Sequence, residues 1–133
     1  MIKIIKEIKI LQPIFKFYPG IKLVYIFGSK ACGKTGPLSD YDFAVYLDES
    51  DSKKRFDLRL KLIDEFSRKL KTSNIDICIL NDIQSPELKY NIIRDGKLIF
   101  EKEPFRLSVE PRVLNEYFDF NQLLRKYNLT KVR

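Results

Sequence analysis

Two strand-like segments joined by a glycine-containing loop constrain this chain most strongly. The first, Ile21–Phe27, is rich in β-branched and aromatic residues and stops at Gly28, which is typical of a buried strand with an end signal. The second, residues 39–47, begins with two aspartates one residue apart and continues with apolar residues. Side chains at alternate strand positions leave the same face, so Asp40 and Asp42 are predicted to lie side by side.

The turn after the first strand has the chemistry of a phosphate site. Gly28 has no Cβ to block a ligand, so successive backbone N–H groups and the Ser29 hydroxyl can point at phosphate oxygens. Lys30 and Lys34 add positive charge nearby. Taken alone, the segment could equally be an ordinary glycine-rich connector. The two aspartates that follow it favour the phosphate site.

Carboxylates at this spacing indicate a metal site. Asp40 and Asp42 would repel each other unless a cation neutralised them, and Mg²⁺ prefers oxygen ligands and shares them with substrate phosphates. A third carboxylate, Asp76, stands inside the apolar strand candidate 74–80. Burying an aspartate there is costly without a partner. We therefore expect Asp76 beside the first two acids, around shared metal.

Composition removes several other classes of function. The chain has no histidine, which excludes the commonest general base and most zinc sites. Its net charge of +7 would attract a nucleoside triphosphate or an acidic partner as well as RNA, and the charge forms no single basic face. Direct binding of nucleic acid is therefore not expected.

The two cysteines, Cys32 and Cys78, have no metal-site spacing. Because no signal peptide or membrane span is visible in the sequence, we expect a cytoplasmic protein without a structural disulfide. A length of 133 residues predicts one domain.

The predicted architecture is α/β, with a small mixed sheet flanked by helices. An amphipathic helix over residues 2–17 should be kinked or split by Pro13. A second helix should run from the acidic segment 48–52 to about Leu70, and a short third one should end at Gly96. After the last strand, 98–100, and a linker bracketed by Pro104 and Pro111, a C-terminal helix is predicted at about 111–128. The buried face of the second helix is predicted to carry Phe56, Leu60, Ile63, Phe66 and Leu70.

The aromatic face of the C-terminal helix has two interpretations. Tyr117, Phe118 and Tyr127 with Arg125 could pack on the chain's own core or form an interface with another protein.

The order of these motifs resembles a known superfamily. Gly28-Ser29, then Asp40-x-Asp42, then a lone Asp76 in a later strand is similar to the nucleotidyltransferase superfamily typified by DNA polymerase β. Within it, the chain looks like a minimal nucleotidyltransferase (MNT). The resemblance covers about residues 20–103, since the segment 95–102 is similar to the closing strand of minimal members. It implies the polymerase-β-like minimal nucleotidyltransferase fold in a single domain spanning residues 1–133.

This resemblance implies a reaction, transfer of AMP from ATP to a hydroxyl group with the help of two Mg²⁺ ions, for which Mn²⁺ could substitute. The implied metal ligands and catalytic residues are Asp40, Asp42 and Asp76, with Asp76 on the attacking side. The implied nucleotide-binding residues are Gly28, Ser29, Lys30, Lys34 and Ser39.

Small stand-alone members of this kind resemble the antitoxin half of HEPN/MNT toxin–antitoxin modules. The resemblance implies a hetero-oligomer with a HEPN ribonuclease toxin, which the antitoxin silences by adenylylating a tyrosine. Two alternatives stay open: a small-molecule nucleotidyltransferase of the aminoglycoside type, and a non-catalytic module that neutralises a toxin by covering it.

Overall fold

A computed structural model describes residues 2–28 and 41–127 of the chain, apart from the side chains of residues 2–5. Four strands form one sheet and four helices pack against it, with a 3₁₀ turn at Leu80–Asp82. In chain order the elements are α1 (Ile2–Phe17), β1 (Ile21–Phe27), β2 (Tyr41–Leu47), α2 (Ser52–Leu70), β3 (Ile75–Ile79), α3 (Pro86–Asp95), β4 (Lys97–Glu101) and α4 (Phe105–Lys126).

The sheet is mixed, with the strand order β3-β2-β1-β4. β1 pairs antiparallel with both β2 and β4, whereas β2 and β3 pair parallel. A parallel pair needs a crossover connection, and the amphipathic α2 supplies it. The predicted α/β class with a mixed sheet is confirmed.

Helices cover both faces of the sheet. Strand alternation divides the apolar residues into two clusters. The first packs under α1 and α2 and includes Phe15, Phe43, Phe66 and Ile77. The second packs under α3 and α4 and includes Leu23, Ala44, Leu80, Ile92 and Val113. Each large side chain buried in this way contributes roughly 1.5–3 kcal/mol, so the sheet is anchored from both sides.

The ends of α2 and α3 follow from local chemistry. Asp51 caps α2 by accepting a hydrogen bond from the Lys53 backbone N–H at 3.0 Å. Ser85 caps α3 by accepting one from Leu88 N–H at 3.1 Å, and Pro86 fills the first turn. These caps satisfy backbone donors that have no partner within the helix, and the predicted start of the second helix in the segment 48–52 is confirmed.

Three predictions about the helices need correction. α1 is one continuous helix with Pro13 inside it, so the predicted split at Pro13 is wrong, whereas the alternative of a kink stays a prediction. In α2 the buried side chains are Leu62 and Phe66, whereas Phe56 and Leu60 are about half exposed. α4 begins at Phe105 and includes Pro111, so the predicted linker before residue 111 is helical. Packing of Val109 and Val113, which flank Pro111 and are buried, offsets the hydrogen bond that proline removes.

None of the described helices combines the length and the apolar character that crossing a membrane requires.

Gly96 joins α3 to β4 through a close backbone approach. Its N–H donates to Ile92 O at 2.8 Å, as predicted for a residue that ends the helix. Its φ of −77° is open to any residue, so backbone conformation does not demand glycine. A Cβ there would lie 2.5 Å from Ile92 O and 3.3 Å from Ile26 O, and this lack of space does demand it.

We expect Gly96→Ala to lower the free energy of unfolding by about 1–3 kcal/mol, because the added methyl group forces backbone apart at the junction of α3 and β4. Urea denaturation of the purified protein measures the change.

Gly20→Ala is the matched control, since a Cβ at Gly20 would meet nothing within 4 Å. Its effect should stay within about 0.5 kcal/mol. Equal losses in the two variants would show that the close approach at Gly96 does not set the cost.

Candidate active site

The register of β2 and β3 brings two acidic side chains together. Asp42 is the second residue of β2, Asp76 is the second residue of β3, and the two are direct partners in the parallel ladder. Neighbouring strands lie only about 4.8 Å apart. Alternation places both carboxylates on the sheet face that α3 and α4 cover, but at the end of the strands, beyond the apolar cluster of Ala44 and Leu80.

The end of β1 reaches the same corner of the sheet. Phe27, the last residue of β1, pairs with Asp42, so Gly28 follows directly beside the two acids. Among the described residues, no atom lies within 4 Å of the position that a Cβ on Gly28 would take, so none of them fills the place predicted for a phosphate group.

The two carboxylates are largely dry and incompletely paired. Asp42 is 3% exposed, and among the described residues neither Asp42 Oδ1 nor Asp76 Oδ2, both buried, has a hydrogen-bond partner. Burial, reinforced by the charge of Asp76, raises the pKa of Asp42 from 3.8 to about 6. Unsatisfied buried acceptors are costly, and a divalent cation with oxygen ligands would satisfy both. The donor set therefore fits Mg²⁺.

Among the described residues, the guanidinium of Arg59 stands beside this pair. Arg59, from α2, places its Nη2 3.5 Å from Asp76 Oδ1 and donates through Nε to Ile77 O at 2.6 Å. Sequence reasoning missed Arg59. Its position among the alternating charged residues of α2 carries no signal that distinguishes it from its neighbours.

The remaining predicted site residues lie outside the part of the chain that the structure describes, so their predicted roles stay predictions. They are Ser29, Lys30, Lys34, Ser39 and Asp40. Within residues 2–28 and 41–127, no group of three or more candidate metal ligands occurs. The structure thus brings together Asp42, Asp76 and the end of β1.

The oxidation state of Cys78 differs from the one predicted. It lies in β3 two residues after Asp76, is 3% exposed and is disulfide-bonded, so the expectation that the chain has no disulfide is wrong. The chain has one other cysteine, Cys32, which lies outside the described residues. Apolar strand composition around Cys78 gave no hint of oxidation.

Comparison with known proteins decides the family. Residues 9–105 match the model of the family described as polymerase beta, nucleotidyltransferase. The chain belongs to this nucleotidyltransferase family. Because the matched region contains Gly28, Asp42 and Asp76, the acidic corner of the sheet lies within the part of the chain that defines membership.

This nucleotidyltransferase is similar in sequence to the protein adenylyltransferase MntA of Aphanizomenon flos-aquae (strain 2012/KM1/D3). The two are 30% identical over 95 residues, which cover 63% of this chain and 59% of that protein. The chain thus spans less than two thirds of the length of that relative.

Solved structures share the fold. A chain in the structure of tri-AMPylated Shewanella oneidensis HEPN toxin in complex with MNT antitoxin superposes with a TM-score of 0.65, at 19% identity over 92% of both chains. A toxin–antitoxin structure with AMP-PNP gives 0.64, at 20% identity over 90% of this chain and 94% of that one. The fold implied by the sequence motifs is confirmed.

We expect Asp42→Asn to stabilise the metal-free nucleotidyltransferase at pH 7, by about 1–3 kcal/mol. The pKa of Asp42 is about 6 in the folded state against an ordinary 3.8, so between these values the folded state holds a proton that the unfolded state has released. Stability of the parent therefore falls as pH rises through this window. The amide of the Asp42→Asn variant does not ionise, so the stability of the variant should not fall between these two pH values. Urea denaturation at several pH values in this range measures the difference.

Asp64→Asn is the control, because Asp64 is exposed on α2 and pairs with Arg68 four residues on. Its effect should be within about 0.5 kcal/mol. An Asp42→Asn protein less stable than the parent at neutral pH would show that Asp42 has a favourable partner and would contradict the repulsion described above.

Proposed function

We propose that this chain transfers AMP from ATP to a tyrosine hydroxyl of a HEPN-type toxin and thereby acts as its antitoxin. The observation that carries the proposal is the pair of incompletely paired carboxylates, buried Asp42 and partly exposed Asp76, in register beside the end of β1. Binding alone does not require such a costly arrangement, whereas metal-dependent nucleotidyl transfer does.

Relatives support the choice of nucleotide and partner. The MntA relative is named as a protein adenylyltransferase. Structures with the same fold contain a tri-AMPylated HEPN toxin in one case and AMP-PNP in another. They favour ATP as the substrate and a HEPN protein as the acceptor.

The reaction joins a hydroxyl oxygen to phosphorus. The acceptor oxygen attacks the α-phosphorus of ATP, the bond from that phosphorus to its bridging oxygen breaks, and pyrophosphate leaves. Asp76 is proposed to take part in removing the acceptor's proton. Mg²⁺ ions, when bound, neutralise the triphosphate and stabilise the charge that develops during transfer.

Further roles follow from the sequence motifs. Asp40, Asp42 and Asp76 are proposed to hold two Mg²⁺ ions, or Mn²⁺ in their place. Gly28 and Ser29 would bind phosphate oxygens through the backbone and hydroxyl, with Lys30, Lys34 and Ser39 completing the nucleotide site.

α4 offers a surface for the protein partner. Tyr117 stacks on Tyr90 of α3 with ring centroids 3.9 Å apart, so part of the aromatic face is used within the chain. Phe118 and Tyr127 remain more than half exposed, and Arg125 lies on the same surface of α4 as Phe118. Exposed aromatic rings with arginine suit a protein interface.

ATP as a substrate favours action in the cytoplasm. The disulfide at Cys78 is uncommon in that compartment.

We expect Asp42→Asn to reduce AMP transfer to a purified HEPN toxin by more than about 100-fold, because a metal ligand is lost. Asp76→Asn should retain binding of Mg·ATP, since the other acids still hold the metal that accompanies the triphosphate, while transfer collapses. Mass spectrometry of the toxin measures transfer, and isothermal titration measures binding.

Asp64→Asn serves again as the control and should transfer AMP at the parent rate. A toxin neutralised by the chain but never modified, with the Asp40/Asp42 double variant still neutralising it, would establish the non-catalytic alternative. Modification of a small hydroxylated compound instead of the protein would establish the aminoglycoside-type alternative.

A further inference from the structure

Arg59 crosses the edge of the sheet to reach the acidic pair. It comes from α2, which packs on the face opposite Asp42 and Asp76. Among the described strands β3 is the outermost, so no other of them pairs with one side of its backbone. Arg59 occupies that side, where its Nε donates to Ile77 O at 2.6 Å.

The same guanidinium extends to the carboxylate. Its Nη2 lies 3.5 Å from Asp76 Oδ1. Because a guanidinium is a planar, rigid fork, fixing Nε on a backbone carbonyl also fixes the direction of the terminal nitrogen. Arg59 therefore meets Asp76 from a set direction rather than as a mobile charge.

The two oxygens of Asp76 are thereby distinguished. Oδ1 faces Arg59, whereas Oδ2 is buried and unpartnered among the described residues, as is Asp42 Oδ1. One oxygen is occupied by the arginine, and the other is left for a ligand shared with Asp42. The side chains of Arg59 and Asp76 are 26% and 18% exposed, so water screens this pair less than it screens a fully exposed one.

We propose that Arg59 is a positioning residue that orients Asp76 for metal binding and for transfer. The inference rests on the proposed function. In this role Arg59 acts through Asp76, so the planar fork geometry of its guanidinium should matter beyond its charge.

The test replaces the planar guanidinium of Arg59 while keeping or removing its positive charge. Arg59→Lys keeps the charge, but an ammonium group cannot hold the carbonyl and the carboxylate together in the same way. Both Arg59→Lys and Arg59→Gln should lower kcat for AMP transfer about 10–100-fold. KM for ATP should stay near the parent value, because the nucleotide's own metal is held by the other acids.

A second readout does not depend on turnover. Mn²⁺ titrated into the nucleotide-free protein and followed by calorimetry should bind about 10-fold more weakly to both variants, since Asp76 is no longer held in place. Circular dichroism and the unfolding midpoint establish that each variant is folded.

Arg55→Lys is the matched control. Arg55 lies one helical turn earlier on α2 and pairs with Asp82 at 2.6 Å, away from the acidic pair. This variant makes the same chemical change at a closer ion pair that lies away from Asp76, so kcat and Mn²⁺ affinity should match the parent.

Parent-like kcat in Arg59→Lys would overturn the inference, because charge alone would then suffice. Tighter Mn²⁺ binding in Arg59→Gln would also overturn it, since Arg59 would then act only as a repelling charge. If the parent itself transfers no AMP, the proposed function fails, while Mn²⁺ affinity still decides whether Arg59 orients Asp76.

Discussion

The in-register parallel pairing of β2 and β3 is the constraint on which the rest of this structure depends. It sets Asp42 directly beside Asp76, an arrangement that burial and like charge both oppose, as the raised pKa of Asp42 shows. A sheet can keep such a pair only if other contacts hold its strands in register. The two apolar clusters, one on each face, provide those contacts, and α2 fixes the parallel connection between the two strands.

The same packing leaves one end of the sheet available for chemistry. α3 and α4 cover the face that carries the acids, but their contacts centre on Leu23, Tyr25, Ala44 and Leu80, away from the strand ends where the acids stand. β1 ends at Phe27 beside Asp42, and Gly28 follows. A rigid sheet, two carboxylates and the end of β1 thus meet at one corner. This is the arrangement expected of a nucleotidyltransferase, which positions a triphosphate and an acceptor rather than forming a covalent intermediate.

The features that could be predicted from the sequence are those that interactions between nearby residues determine. β1 matches its predicted bounds, Asp51 and Ser85 cap helices, and Gly96 ends α3. Errors arose where tertiary packing decides. α2 carries two overlapping apolar stripes, and only contact with the sheet selects Leu62 and Phe66 over Phe56 and Leu60. Because Val109 and Val113 are buried, α4 continues past Pro111. The Asp42–Asp76 pairing was inferable from strand alternation and crossover topology, but Arg59 was not, because its role depends on β3 being an edge strand. The roles of Ser29 and Asp40 stay predictions.

The central claim is that Asp42 and Asp76 hold one metal between them for nucleotidyl transfer. Crystals grown with Mn²⁺ and a non-hydrolysable ATP analogue test it most directly, because anomalous scattering locates the metal independently of any refinement of the ligand. The account predicts an anomalous peak within coordination distance, about 2.0–2.2 Å, of Asp42 Oδ1 and Asp76 Oδ2. It also predicts that the peak is lost in Asp42→Asn. Nucleotide bound with no metal at these oxygens, or with Asp76 turned away from a metal held elsewhere, would contradict it.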